Sequence, residues 1–175
     1  PEHRGGSCGI AQCGVELIGA GGRKADLEMI ALAVDALKAC GLARFHVELG
    51  HVDFFRELTA RVDMPADTVE QARELIEGKN FAALGDLLEP YRGQAACEPL
   101  RRLSRLFGGA EVLDEAESLS GGSDALDYLR DLYGELKSAG YGDYIRFDLG
   151  MVHQIDYYTG VVFRGYVEGA GDAVL

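Results

Sequence analysis

The run Met151-Val152-His153-Gln154-Ile155-Asp156-Tyr157-Tyr158-Thr159-Gly160-Val161-Val162-Phe163 decides how the rest of the chain is read. It opens a β-rich stretch, Ile155 to Tyr166, dense in β-branched and aromatic residues. As extended backbone it sends Asp156, Tyr158 and Gly160 to one face and Tyr157, Thr159 and Val161 to the other, so one tyrosine can enter a pocket while its neighbour packs. Taken alone, the run also reads as an ordinary aromatic strand ending in a turn.

Upstream, Ile145, Phe147 and Leu149 alternate with Tyr144, Arg146 and Asp148, which predicts a strand. Before it, from Pro65 to Gly140, the period changes. Thr68 to Glu77, Phe81 to Leu88, Leu100 to Phe107 and Ser123 to Lys137 read as amphipathic helices, separated by Pro90, Pro99 and Gly108-Gly109. Ser123-Asp124 is the expected cap of the last helix, whose apolar face is Leu126, Leu129, Leu132 and Leu136. Further upstream, Arg44 to Gly50 alternates as a strand, and Ala25 to Cys40 carries Leu27, Ile30, Val34 and Leu37 at helical spacing with Gly41 as a stop. Gln12 to Ile18 alternates again, with Cys13, Val15 and Leu17 on one side and Gln12, Gly14, Glu16 and Ile18 on the other. Strands joined by local helices and one helical excursion predict an α+β fold with a largely antiparallel sheet, rather than a regular βαβ alternation. The domain expectation is one core over 1–175, with residues 66–140 inserted in it. An opening Pro1 without Met, and an apolar end at Ala173-Val174-Leu175 where another strand should begin, lead to the expectation of a core cut at both ends.

Composition narrows the function classes. Asp and Glu number 29 against 17 Lys and Arg, a formal charge of −12, which disfavours a groove for nucleic-acid phosphates. Cys8, Cys13, Cys40 and Cys97 lack zinc spacing and the density of a secreted disulfide framework, and so read as reduced thiols in a cytoplasmic protein. No apolar run reaches the roughly 20 residues of a membrane helix. His3 reads as solvent-exposed, His46 as lying on a strand's polar face, and His51 as opening a short helix. No histidine pair has metal-ligand spacing, so no metal is expected. Asp114-Glu115 and Glu117 read as a solvated helix face.

The run at 151–163 resembles the histidine-recognition motif of histidyl-tRNA synthetases, where an arginine and a glycine stand at the places of His153 and Gln154 before the same Asp-Tyr-Tyr-Thr-Gly. Gln12-Cys13-Gly14-Val15-Glu16-Leu17-Ile18-Gly19 is similar to the strand after motif 2 of that family. Ala25 to Leu32 and Glu48-Leu49-Gly50-His51-Val52 are similar to the helix and strand that come next. In this order, with a helical insert before the tyrosines, the resemblance covers nearly the whole chain and implies a class II synthetase-like core. It also implies a histidine site made of Gln12, Glu16, His153, Tyr157, Tyr158 and Thr159. Gln12 would meet the ligand's α-ammonium, and Glu16 with Tyr158 would bracket the imidazole, giving each ring nitrogen a partner. Read alone, Glu16 is more simply a solvated strand residue.

The departure at His153 bears on catalysis. An arginine supplies a permanent cation and a planar donor fork for the charge that develops as a carboxylate attacks the α-phosphate of ATP. A mostly neutral histidine cannot do that work near pH 7. The wording at 14–19, at 49–52 and at Phe163-Arg164-Gly165-Tyr166-Val167-Glu168-Gly169-Ala170-Gly171-Asp172 is similar to the paralogous family of ATP phosphoribosyltransferase regulatory subunits. That resemblance implies a non-catalytic histidine sensor in histidine biosynthesis, without catalytic residues or cofactor. Its partner would be a short-form catalytic subunit, and it would form a homo-oligomer within a hetero-oligomeric complex. The alternative is a histidyl-tRNA synthetase core that activates histidine with ATP, and a third reading is an interaction module that keeps the fold and binds no amino acid.

Overall fold

The computed structural model describes residues 12–152 and 160–175. Helix α1 (Arg23–Ala39) is followed by strand β1 (Phe45–His51) and helix α2 (Val52–Thr59). Helices α3 (Ala66–Glu77), α4 (Phe81–Leu88) and α5 (Cys97–Arg102), a short strand β2 (Phe107–Gly108), and helices α6 (Glu111–Ser120) and α7 (Asp124–Ser138) come next. Strands β3 (Ile145–Asp148) and β4 (Val161–Val167) complete the described elements.

The sheet runs β2-β3-β1-β4. β1 pairs in parallel with β3, Val47 opposite Ile145 and Leu49 opposite Phe147, and antiparallel with β4 from Phe45↔Val167 to His51↔Val161. β2 pairs antiparallel with β3. The sheet is therefore mixed, two of its three pairings being antiparallel. A parallel pair cannot be closed by a hairpin, and here the crossover is the whole helical excursion from α2 to α7.

Alternation along β1 decides the two faces. Val47 and Leu49 join Ile145 and Phe147 in a buried cluster with Ile30, Val34 and Leu37 of α1 and Leu129, Leu132 and Leu136 of α7. The helical spacing of these six residues is what the sequence showed, and α1 stops before Gly41 at φ 76°, a conformation that suits glycine. At Gly165 a Cβ would lie 3.3 Å from Leu37 Cδ1 and 3.0 Å from Leu175 Cβ, so the missing side chain lets α1 and the C-terminal segment close on the sheet. On the opposite face His46 stands across from Tyr166 and Glu48 across from Arg164.

Two expected elements differ. Residues 12–18 form no strand, and Val15 and Ile18 are 63% and 85% exposed. Alternation marks a segment with two faces, but backbone becomes strand only by pairing, and no described strand lies alongside. The outer edge of β4 is met instead by the C-terminal residues, where a strand was expected to begin: Val174 N–H donates to Gly165 O at 2.8 Å, and Gly165 N–H donates to Leu175 O at 2.9 Å. The helix expected over Leu100–Phe107 is α5 followed by a 3₁₀ turn at Leu103–Arg105. Leu106 then leaves helical geometry, its carbonyl accepts the Leu149 N–H at 3.0 Å, and Phe107 becomes edge strand.

Candidate functional site

Of the six residues expected to hold histidine, Gln12 and Glu16 are exposed. His153, Tyr157, Tyr158 and Thr159 lie outside the described residues, so the expected clamp of Glu16 and Tyr158 does too. The next residues after the tyrosine run, Gly160 and Val161, border a polar cavity of about 540 Å³. Its other walls come from the start of α1, the β1–α2 junction and the start of α7, through Asp26, His51, Asp53, Glu57, Asp124 and Tyr128.

Each wall residue is placed by its element. Tyr128, on the α7 face turned to α1, donates its hydroxyl to Asp26 Oδ2 at 2.6 Å. Burial, then the hydrogen bond and charge of Asp26, push the phenol up to about 12, so it holds its proton throughout the neutral range. His51 ends β1 and caps α2, its Nδ1 accepting the Asp53 N–H at 3.3 Å. Its ring meets that of Tyr128 edge to face, with centroids 5.4 Å apart. Burial lowers the His51 pKa, opposed by the charges of Asp53, Glu57 and Asp26, so the ring is held toward its neutral form. With Nδ1 an acceptor, the proton of that neutral ring belongs on Nε2.

Glu57 reaches from α2 to the first turn of α7, where Oε1 accepts the Ala125 N–H at 3.1 Å. A carboxylate at a helix N-terminus is well placed, because the free N–H groups there carry partial positive charge. Its Oε2 is buried without a hydrogen bond, and Arg61 Nη2 stands 4.0 Å away, close enough for ionic attraction but too far for a hydrogen bond. Arg61 itself donates to the Ser120 and Gly122 carbonyls at 2.8 and 2.9 Å.

His46, on the sheet face away from the helices, contacts Glu48 Oε1 at 3.0 Å through Nε2 and stacks on Tyr166 at 5.6 Å between centroids. Cys13 and Cys40 are exposed free thiols and Cys97 is a buried one. Among the described residues, no three His, Cys, Asp or Glu side chains are grouped to hold a metal ion, and no helix is long and apolar enough to cross a membrane. Sequence reasoning placed His51 at the head of a helix but did not join it to Tyr128 and Glu57. The available signal was a polar side chain, Asp26, one turn before the buried Ile30 of α1.

An α+β core with a mixed sheet, helices on one face and a helical excursion between its parallel strands is the class II synthetase-type fold. The sequence model of the family described as Histidyl-tRNA synthetase matches residues 1–175, and the chain belongs to that family. The chain is 40% identical over 172 residues to an ATP phosphoribosyltransferase regulatory subunit of Clostridium acetobutylicum, a match covering 95% of this chain and 42% of the relative. It therefore spans less than half the length of that curated relative. A crystallised ATP phosphoribosyltransferase regulatory subunit/histidyl-tRNA synthetase from Bacillus halodurans C is 34% identical, with a TM-score of 0.79 over 90% of this chain and 42% of that one. The ATP phosphoribosyl transferase complex of Thermotoga maritima has a chain of the same fold, with a TM-score of 0.71 at 18% identity over 89% of this chain and 55% of that one.

Proposed function

We propose that the protein to which this chain belongs is a non-catalytic regulatory subunit of ATP phosphoribosyltransferase, acting in the cytoplasm at the first step of histidine biosynthesis. The observation that carries this reading is the 40% identity to a regulatory subunit along 95% of the chain. The histidine at position 153 supports it, because an adenylating centre needs a guanidinium there. A short-form catalytic subunit would join ATP to phosphoribosyl pyrophosphate, giving phosphoribosyl-ATP and releasing pyrophosphate. The regulatory chain would be required for that activity and would report histidine concentration to it. Feedback then requires histidine to bind the assembled states unequally. Gln12, Glu16, His153, Tyr157, Tyr158 and Thr159 are the proposed ligand contacts, the first at the α-ammonium and Glu16 with Tyr158 at the imidazole. Within the complex the chain is proposed to be a homo-oligomer.

The test uses the full-length protein with the short-form catalytic subunit. Phosphoribosyl-ATP formation should depend on the added regulatory chain and fall as histidine is raised. Histidine-dependent exchange of pyrophosphate into ATP by the full-length chain alone would instead make it a synthetase and overturn the proposal.

A further inference from the structure

We propose that the free edge of the sheet at β2 docks an extended, acidic segment of the short-form catalytic subunit; the inference rests on the proposed function. Phe81 and Phe107 are 40% and 49% exposed, and contacts draw them into one patch. The Arg105 guanidinium lies over the Phe81 ring, 5.0 Å from its centroid, and Phe107 follows two residues later. Phe107 pairs with Asp148, whose Oδ2 is 3.8 Å from Lys79 Nζ, and Lys79 precedes Phe81 by two residues. Among the described strands β2 is outermost on its side of the sheet. Leu106 O accepts the Leu149 N–H, so alternation along the antiparallel pair turns the N–H and C=O of Phe107 outward. A backbone donor and acceptor at an open edge, flanked by exposed rings, suit an added extended segment.

The charge of the patch selects the sign of the partner. Arg23, Arg73 and Arg130 are each held by two or more carboxylates within ion-pair distance. Arg105 and Arg146 have none among the described residues, and both flank Phe107. Arg146 and Phe107 border a groove of about 560 Å³ on the sheet face away from the helices, where Arg146 Nη1 donates to the Ile145 carbonyl at 2.7 Å. Lys79 is too far from Asp148 for a hydrogen bond, and Asp148 is buried, with Oδ1 turned to the Gly150 N–H at 2.9 Å. Glu48 and Glu168, also on the groove, are met by His46 and Arg44 at 3.0 and 2.8 Å. Of the exposed acids that remain, Glu111 is turned to the Gly109 N–H at 2.8 Å and Asp143 borders the groove. The exposed cations Lys79, Arg105 and Arg146 thus outnumber the exposed acids around Phe107, in a chain whose net charge is −12. Aromatic residues and arginine are enriched where proteins meet, and surface cations without partners steer an anionic segment toward them.

The full-length chain is mixed with the short-form catalytic subunit, and assembly is followed by sedimentation velocity. Phe107→Ser and Arg105→Glu should each weaken assembly about tenfold or more, the scale of an interface hot spot, while the melting temperature of the chain alone stays at the wild-type value. Raising the salt concentration should weaken the wild-type complex more than that of Arg105→Glu. Assembly of both variants with wild-type affinity overturns the docking surface and leaves the proposed function standing. Failure of the wild-type chain to assemble overturns the proposed function, and this inference with it. A changed oligomeric state of either variant on its own would assign the edge to a second copy of this chain. A lowered melting temperature in both would assign it to the chain's own continuation, and each of these results also overturns the proposal.

Discussion

The imidazole of His51 sits where burial and three carboxylates compete for its proton, and burial is the larger effect. The folded pKa is therefore depressed below the ordinary value of about 6.5. The sign of the linkage follows. Above that value the ring is neutral in both states and costs nothing, while below it the unfolded chain takes up a proton that the folded chain resists. Stability should accordingly fall as pH drops from about 6.5, until the folded ring also titrates. Replacing His51 with Gln, which can still accept the Asp53 N–H, should flatten that segment of the melting-temperature profile, and an unchanged slope would remove His51 as its source. At the proposed ligand contacts, Glu16→Ala and Tyr158→Phe should each weaken histidine binding about tenfold by calorimetry, the order expected for one hydrogen bond to a charged or polar ligand group. Normal affinity in both would refute that assignment. Gln12, Glu16 and the tyrosines can be proposed from sequence because they stand in two short linear stretches. Asp26 and Tyr128 cannot, since they lie 102 residues apart and meet only when α1 packs against α7.

Period alone located most elements, because α1, α7, β1 and β3 each bury one face of an alternating or helical pattern. It failed at residues 12–18, where the same alternation is present but no described strand pairs with it. It also ran one helix too far at Leu106, because a tertiary hydrogen bond from Leu149 outweighs local propensity there. The start of α7 shows how an element is fixed from two distances in sequence. Ser123 Oγ accepts the Leu126 N–H at 3.2 Å, as the sequence foretold, and Glu57 Oε1 satisfies the Ala125 N–H from another helix. Ser123→Ala should cost about 1 kcal/mol, the typical value of a lost helix cap. Urea denaturation followed by far-ultraviolet circular dichroism measures it. A loss well below that figure would mean that Glu57 alone carries the cap.

At the scale of the whole chain, the helices between β1 and β3 are not separate in packing from the sheet. One continuous buried cluster runs from Ala72 and Ile76 of α3 through Leu84, Leu88, Leu100 and Leu103 to Phe54, Phe55 and Leu58 of α2, and on to Leu49 and Phe147 of the sheet. The sequence predicts an insert between Pro65 and Gly140, where its period changes, whereas the helices between β1 and β3 begin with α2 at Val52. It could not show that the two regions share a core, since one amphipathic face looks the same whether it packs on its own insert or on the sheet. A shared core makes opening cooperative: a cavity made at one end should be felt at the other. Leu100 is fully buried, so Leu100→Ala should destabilise by about 2–5 kcal/mol. In native-state hydrogen exchange on the full-length protein, the amides of β1 and β3 should then speed up along with those of α5, because they open in the same event. Acceleration confined to α3–α6 would mean that the insert opens alone, with the sheet holding its own structure behind it.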